Sequence, residues 1–280
     1  MAFLLADSGS TKTEWLLIEN GEIIISSTSI GFNPYYYSDD QLENSIQKSV
    51  LSIIKSTVLE AIYFYGSGVS TENKKTKIKS IIERSFPNTH IEVEHDLLAA
   101  ARGLLKKEAG IACILGTGSN SCVYDGENIT HNIPSLGYFF ADEGSGTHIG
   151  RLFIEDYLRD KLPNDIKSLA EKKFNLSIEY ILDFIYNKEN PNNFLASFSP
   201  FVSENIDFLY LQELVKKSFR SFFETYIIKY PNYKELPLRF MGSVALIHEN
   251  LLKAIADEFD LTINSVEKSP IEGLIKFHSK

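Results

Sequence analysis

Two cysteines in 280 residues, Cys113 and Cys122, are all this chain has, and both sit among apolar or small neighbours. Two such thiols make no disulfide framework, so a reducing compartment is expected. No segment approaches the roughly 18 consecutive apolar residues of a membrane-spanning helix. The opening "MAFLLADSG" has no basic flank and an apolar run of only five residues. A secretory leader is therefore not expected, and a cytoplasmic location is. A basic surplus is also missing: 28 Lys and Arg stand against 37 Asp and Glu, for a net charge of -9, with no block of five like charges. Nucleic-acid binders usually show a basic face, so that class loses ground. The six histidines form no H-E-x-x-H spacing, and there is no G-x-S-x-G elbow. No Pro/Gly/Ser-rich linker divides the chain. What remains is 44% hydrophobic, enough for the core of one large or two medium domains.

The apolar periods give an order of elements. "AFLLAD" reads as a strand, "EWLLIEN" as a second and "EIIISST" as a third, with Asn20-Gly21 as the hairpin turn between the last two. Residues 39 to 55 show helical spacing through Leu42, Ile46, Val50 and Ile53. "AIYFYGSG" is a buried strand, residues 72 to 85 a helix, "IEVEHD" a strand, and "LLAAARGLLKK" a small-residue helix beginning at Asp96. The pattern then restarts. "GIACILGTGSNSCVYDGENITHN" reads as strand, glycine turn, strand, Asp-Gly turn, strand. Asp7 falls on Gly116, Gly9 on Gly118 and Ser10 on Ser119, each 109 residues apart. Two turns with one grammar argue for a duplicated domain. The expected lobes are 1–114 and 115–280, the second carrying a helical insertion over about 143–230. A strand at "LPLRFMGSV", a helix at 245 to 259, a strand at "LTINSV" and a last helix at about 269–279, packing back on the first lobe, complete it. A cleft between the lobes is the expected ligand site.

The turns suggest the chemistry. In "DSGSTKT", small residues let the backbone approach a ligand, and hydroxyls and N–H groups can donate to phosphate oxygens. Lys12 adds a positive charge, and "GTGSN" can act likewise from the second lobe. Neither turn has the Walker A or dinucleotide-fold spacing. Asp7, at a strand end, is suited to Mg²⁺, directly or through water. Asp96 stands between a strand and a helix, where a carboxylate can orient a hydroxyl and take its proton. It can equally be a helix cap there. Asp142 and Glu143 precede a glycine turn that opens a helix, where they can accept ligand hydroxyls, reach a metal or cap. Gly242-Ser243 joins a strand to a helix and suits a base or ribose. His95 is read as structural or peripheral, because neighbours on a strand point to opposite faces.

Taken in order, "DSGSTKT", "HDLLAAARG", "GTGSN", "GYFFADEGSG" and "GSVA" resemble the N-acetylglucosamine kinase family of the actin-like, sugar-kinase ATPases. That family is related to the activator ATPases of benzoyl-CoA reductase and hydroxyacyl-CoA dehydratases. The resemblance spans nearly the whole chain. It implies an α/β fold of two duplicated actin-like (ribonuclease H-like) lobes around a central cleft, and ATP-dependent phosphorylation of an amino sugar. N-acetylglucosamine at its 6-hydroxyl comes first, and N-acetylmuramic acid or glucosamine are the rivals. An activator-type ATPase without a sugar substrate is the alternative. Gly9, Ser10, Thr11 and Lys12 resemble the first phosphate loop, with Asp7 on the metal side. Gly116, Thr117 and Gly118 resemble the second, and Gly242 and Ser243 the adenosine motif. Asp96 matches the catalytic base. Asn33, Ser119, Asn120, Gly137 and Asp142 resemble sugar contacts. ATP and Mg²⁺ are the implied cofactors, with a small sugar as partner, a homodimer as assembly, and neither nucleic acid nor membrane. The chain departs from the pattern where Ser8 and Ser10 replace loop glycines, and at Leu136, where a tryptophan is common before Gly137.

Overall fold

The computed structural model describes residues 2–9, 12–32, 37–51, 54 and 57–279. The chain divides into two compact units, Met1–Lys107 with Pro270–Lys280, and Glu108–Ser269.

The first unit holds one mixed sheet. Its strands are β1 (Ala2–Ser8), β2 (Lys12–Glu19), β3 (Glu22–Ile30), β4 (Ala61–Gly66) and β5 (His90–His95), in the spatial order β3-β2-β1-β4-β5. β1 and β2 are antiparallel, with Asp7 opposite Glu14 and Ser8 opposite Thr13. β4 and β5 extend the sheet in parallel. The apolar run of β1 is continuous because both faces are covered, and alternate residues serve opposite cores. Leu4 and Ala6 pack with Trp15, Phe32 and the buried isoleucines 78, 81 and 82 of the Glu72–Ser85 helix. Phe3 and Leu5 pack with Ala99, Leu274 and Ile275. The last two belong to the Ile271–His278 helix, which crosses the Asp96–Leu105 helix at bare backbone: a β-carbon on Gly273 would stand 1.8 Å from the Gly103 carbonyl oxygen. Beside that crossing, the Tyr65 hydroxyl takes a hydrogen bond from Arg102 at 2.9 Å and lies 2.8 Å from His278 Nε2.

The second unit repeats the plan. β6 (Gly110–Leu115), β7 (Ser119–Tyr124), β8 (Ile129–His131), β9 (Leu238–Met241) and β10 (Ile263–Glu267) lie in the order β10-β9-β6-β7-β8. Each strand takes the place and direction of the one five earlier: β7 antiparallel to β6 and β8, β9 parallel to β6 and β10. Helices fill the stretch from Gly146 to Thr225, and a single core joins Ile111, Cys113 and Leu115 of β6 to Phe153, Phe219, Phe222 and Phe223. One expected helix is broken. Residues 245 to 259 form the end of a Ser243–Ile247 helix and then a separate Glu249–Glu258 helix, divided at His248.

Candidate active site

In the first unit the turn after β1 is closed by the Gly9 N–H, which donates to the Lys12 carbonyl at 2.9 Å. Ser8, standing where a loop glycine is usual, is buried and does structural work. Its hydroxyl lies 2.7 Å from that of Thr13, which itself donates to the Ile30 carbonyl at 3.0 Å. The Ser8 oxygen also accepts the Phe32 N–H at 2.9 Å, tying the turn to the segment that leads to Asn33. Lys12 opens β2 and is exposed. Ser10, Thr11 and Asn33 lie outside the described residues.

Asp7, next to last in β1, is half-buried. Its carboxyl is pushed up to about 6, first by burial, then by the charge of Asp96 and then by that of Glu14. Two acids from distant parts of the sequence are therefore brought near one another. Among the described residues no cluster of three or more His, Cys, Asp or Glu side chains could hold a metal. A crowded, half-buried carboxylate still fits a Mg²⁺ ion that keeps several waters and takes its other ligands from substrate phosphate.

Asp96 is the first residue of its helix, where a negative charge is favoured by the helix dipole. It is not the cap. The preceding residue is, because His95 Nδ1 accepts the Leu97 N–H at 3.1 Å. His95 Nδ1 also lies 2.9 Å from Asp96 Oδ1. Of the two expectations for His95, structural or peripheral, the cap supports the structural one, while the alternation argument fails. Strand alternation fails at this pair because Asp96 has already left the strand, and the first helical turn brings its side chain back against the imidazole. A helix beginning at Asp96 puts His95 at the cap position, which was the available signal.

In the second unit the Gly116-Thr117-Gly118 turn is locked to the start of the Gly146–Leu158 helix. The Gly146 N–H donates to the Gly116 carbonyl at 2.8 Å. The Thr117 carbonyl accepts the Thr147 N–H at 3.0 Å and the Thr147 hydroxyl at 2.6 Å. Gly116, Thr117 and Gly146 line a cavity of about 390 Å³ with Ser243, Val244 and Ser199. Two motifs 126 residues apart in sequence, the second glycine turn and Gly242-Ser243, thus meet at one hollow.

Asp142 is buried at a positive φ of 64°. Its Oδ1 accepts the Ser119 N–H at 3.2 Å and the Ser135 hydroxyl at 3.3 Å, while burial holds its carboxyl above the ordinary value. The Ser119 hydroxyl is buried beside it with no hydrogen-bond partner among the described residues. Glu143 accepts the Tyr226 hydroxyl at 3.0 Å, and the cap of the following helix is Ser145. Neither acid is the cap that was considered. Asn120 is partly committed: its side-chain oxygen accepts the Ser121 N–H at 2.9 Å and the Asn132 amide at 3.1 Å. Gly137 opens a short helix, Gly137–Phe140, directly after the exposed Leu136.

The two mixed five-stranded sheets of matching order, with helices packed on them, define an α/β protein. No family model matches the chain. Over 174 residues it is 26% identical to an N-acetyl-D-glucosamine kinase of Dictyostelium discoideum, and the match covers 57% of this chain and 54% of that enzyme, about half its length. A solved structure of a provisionally named N-acetylglucosamine kinase from Porphyromonas gingivalis superposes with a TM-score of 0.93 at 38% identity, covering 99% of this chain and 98% of the other. A second such structure, from Chromobacterium violaceum, shares the fold with a TM-score of 0.66 at 16% identity, covering 99% and 98% of the two chains. The chain belongs to the N-acetylglucosamine kinase family of sugar kinases.

Proposed function

We propose that this protein transfers the γ-phosphoryl group of ATP to the 6-hydroxyl of an amino sugar, N-acetylglucosamine first. The observation that carries the reading is the approach of Asp96, at the head of its helix, to Asp7, near the end of β1, where burial and then the charge of Asp96 push the Asp7 carboxyl up to about 6. Asp96, its side chain 36% exposed, is reachable by a substrate. As the sugar oxygen forms its bond to phosphorus and the terminal O–P bond of ATP breaks, the hydroxyl proton goes to Asp96. Mg²⁺, when bound, would neutralise charge on the phosphoryl group, and Asp7 is the residue proposed to hold it, directly or through water.

The remaining roles are proposals of the same reading. Gly9, Ser10, Thr11 and Lys12 serve phosphate from the first unit, and Gly116, Thr117 and Gly118 from the second. Gly242 and Ser243 serve adenosine, supported by the cavity that Ser243 shares with Gly116 and Thr117. Asn33, Ser119, Asn120, Gly137 and Asp142 serve the sugar, supported by the Ser119 hydroxyl, which has no partner among the described residues and lies beside the Asp142 carboxyl. An activator ATPase would need thiolates at a surface to share an iron–sulfur cluster. Cys113 and Cys122 are both fully buried and burial pushes both thiols up, which weighs against that use. A cytoplasmic homodimer is part of the proposal. Among the described residues no helix is long and apolar enough to cross a membrane.

The test is ATP consumption against hexoses, N-acetylhexosamines, glucosamine and N-acetylmuramic acid, with the phosphate position of each product read by NMR. The proposal expects N-acetylglucosamine 6-phosphate as the fastest product. ATP turnover that no sugar accelerates would overturn it.

A further inference from the structure

The geometry points to His95 as a positioning residue for Asp96, donating from Nδ1 to Asp96 Oδ1 so that Oδ2 is left for the acceptor hydroxyl. This rests on the proposed kinase reading. An imidazole nitrogen has a single in-plane site, which either carries a proton and donates or carries a lone pair and accepts. His95 Nδ1 faces two groups at hydrogen-bonding distance, the Leu97 N–H at 3.1 Å and Asp96 Oδ1 at 2.9 Å. Leu97 requires an acceptor. An ionised Asp96 requires a donor, and a protonated one can itself donate. Nδ1 therefore cannot satisfy Leu97 and an ionised Asp96 together.

The balance between the two partners depends on the charge of Asp96. A hydrogen bond to an ionised carboxylate is about twice as strong as one between neutral groups. While Asp96 is ionised and ready to act as base, Nδ1 carries its proton toward Oδ1 and the cap on Leu97 is given up. In the transfer the sugar O–H bond breaks, the new O–P bond forms, ADP leaves, and the proton goes to Asp96 Oδ2. Asp96 is then neutral, its hold on Nδ1–H weakens, and capping of Leu97 competes again. The side chain at the cap position supports a second duty. Histidine is not among the preferred N-cap residues, which are Ser, Thr, Asp and Asn, so capping alone gives no reason for it here. The backbone at His95, with φ -76° and ψ 149°, is the extended cap conformation that any of those residues adopts.

Two substitutions separate the roles. His95→Ser keeps a capping oxygen but reaches no carboxylate, whereas His95→Ala loses both. The experiment compares melting temperature, kcat, and KM for sugar and ATP in the wild type and both variants. The inference expects His95→Ser to melt within a few degrees of wild type, keep both KM values within about threefold, and lose about 10- to 100-fold in kcat, part of the 10²–10⁴ that general-base catalysis is worth. An unchanged kcat in His95→Ser overturns it. A second arm needs no turnover, and so separates failure of this inference from failure of the kinase reading. Imidazole ¹⁵N spectra at pH 8.5, with the His95 signals identified by their loss in His95→Ser, report which nitrogen holds the proton. The proton is expected on Nδ1 in the wild type and on Nε2 in Asp96→Ala, where only the Leu97 N–H faces Nδ1. The same tautomer in both proteins overturns the inference.

Discussion

Gly242 faces the carbonyl of Leu115 so closely that a β-carbon on it would stand 2.3 Å from that oxygen and 3.2 Å from the Gly116 nitrogen. Its φ of 111° is also one that side chains rarely adopt. The residue joining β9 to the Ser243–Ile247 helix is thus moulded onto the backbone that enters the second glycine turn. Gly242→Ala must move that turn. The account expects KM for ATP to rise at least about tenfold while KM for the sugar stays within a few-fold, with a lowered melting temperature as overpacking strains the core. Steady-state kinetics with each substrate varied in turn check it; a selective rise in sugar KM would show that the motif serves the other substrate.

Asp7→Asn is expected to stabilise the ligand-free protein while abolishing turnover. The carboxyl of Asp7 is raised from 3.8 to about 6, so the folded state binds its proton more tightly than the unfolded state does. Stability from this group is therefore present at low pH and lost as pH rises through that window. Above about pH 6 the ionised carboxylate costs on the order of 2–3 kcal/mol, which the amide removes. Thermal melts of both proteins should show the variant higher at pH 8 and the gap closed near pH 4. Mg²⁺ with ATP should raise the wild-type melting temperature more than the variant's.

At the helix crossing, Gly273→Ala would drive a methyl group into the Gly103 carbonyl. The Ile271–His278 helix must then lift from the Asp96–Leu105 helix, loosening Leu274 and Ile275 and the Tyr65–His278 contact. A loss of about 2 kcal/mol or more in urea unfolding is expected. A surface-like change within about 0.5 kcal/mol would mean that the crossing has room to adjust.

Much of this was legible along the chain, for local reasons. The strands announce themselves by apolar runs ending in turn residues, and Asn20 and Gly21 take the positive φ angles, 52° and 83°, that their hairpin requires. The helix read at 72 to 85 is found at Glu72–Ser85, and the repeat of strand order follows from the repeated turns. What stayed hidden depends on distant partners. The helix break falls at His248, whose ring is buried and lies 2.9 Å from the Ser203 hydroxyl, 45 residues away. Ser8 looks like a weakened glycine until Phe32 is seen to bond to it. Asn120 looks free until Asn132 is found on its oxygen. The His95–Asp96 contact stayed hidden because the strand-to-helix change falls between the two residues, where alternation ceases to apply.

The central claim is that Asp96 takes the proton of the acceptor hydroxyl, and Asp96→Asn tests it most directly. The amide keeps a hydrogen-bonding partner but loses the basic oxygen, and the group that faces the Leu97 N–H is His95, not residue 96. Sugar titration by calorimetry should show affinity within about tenfold of wild type, about 1.4 kcal/mol. A coupled ATP assay on the same preparations should show turnover reduced by about 10²–10⁴. Turnover retained within a few-fold, with the sugar still bound, would contradict the account and remove Asp96 from the chemistry.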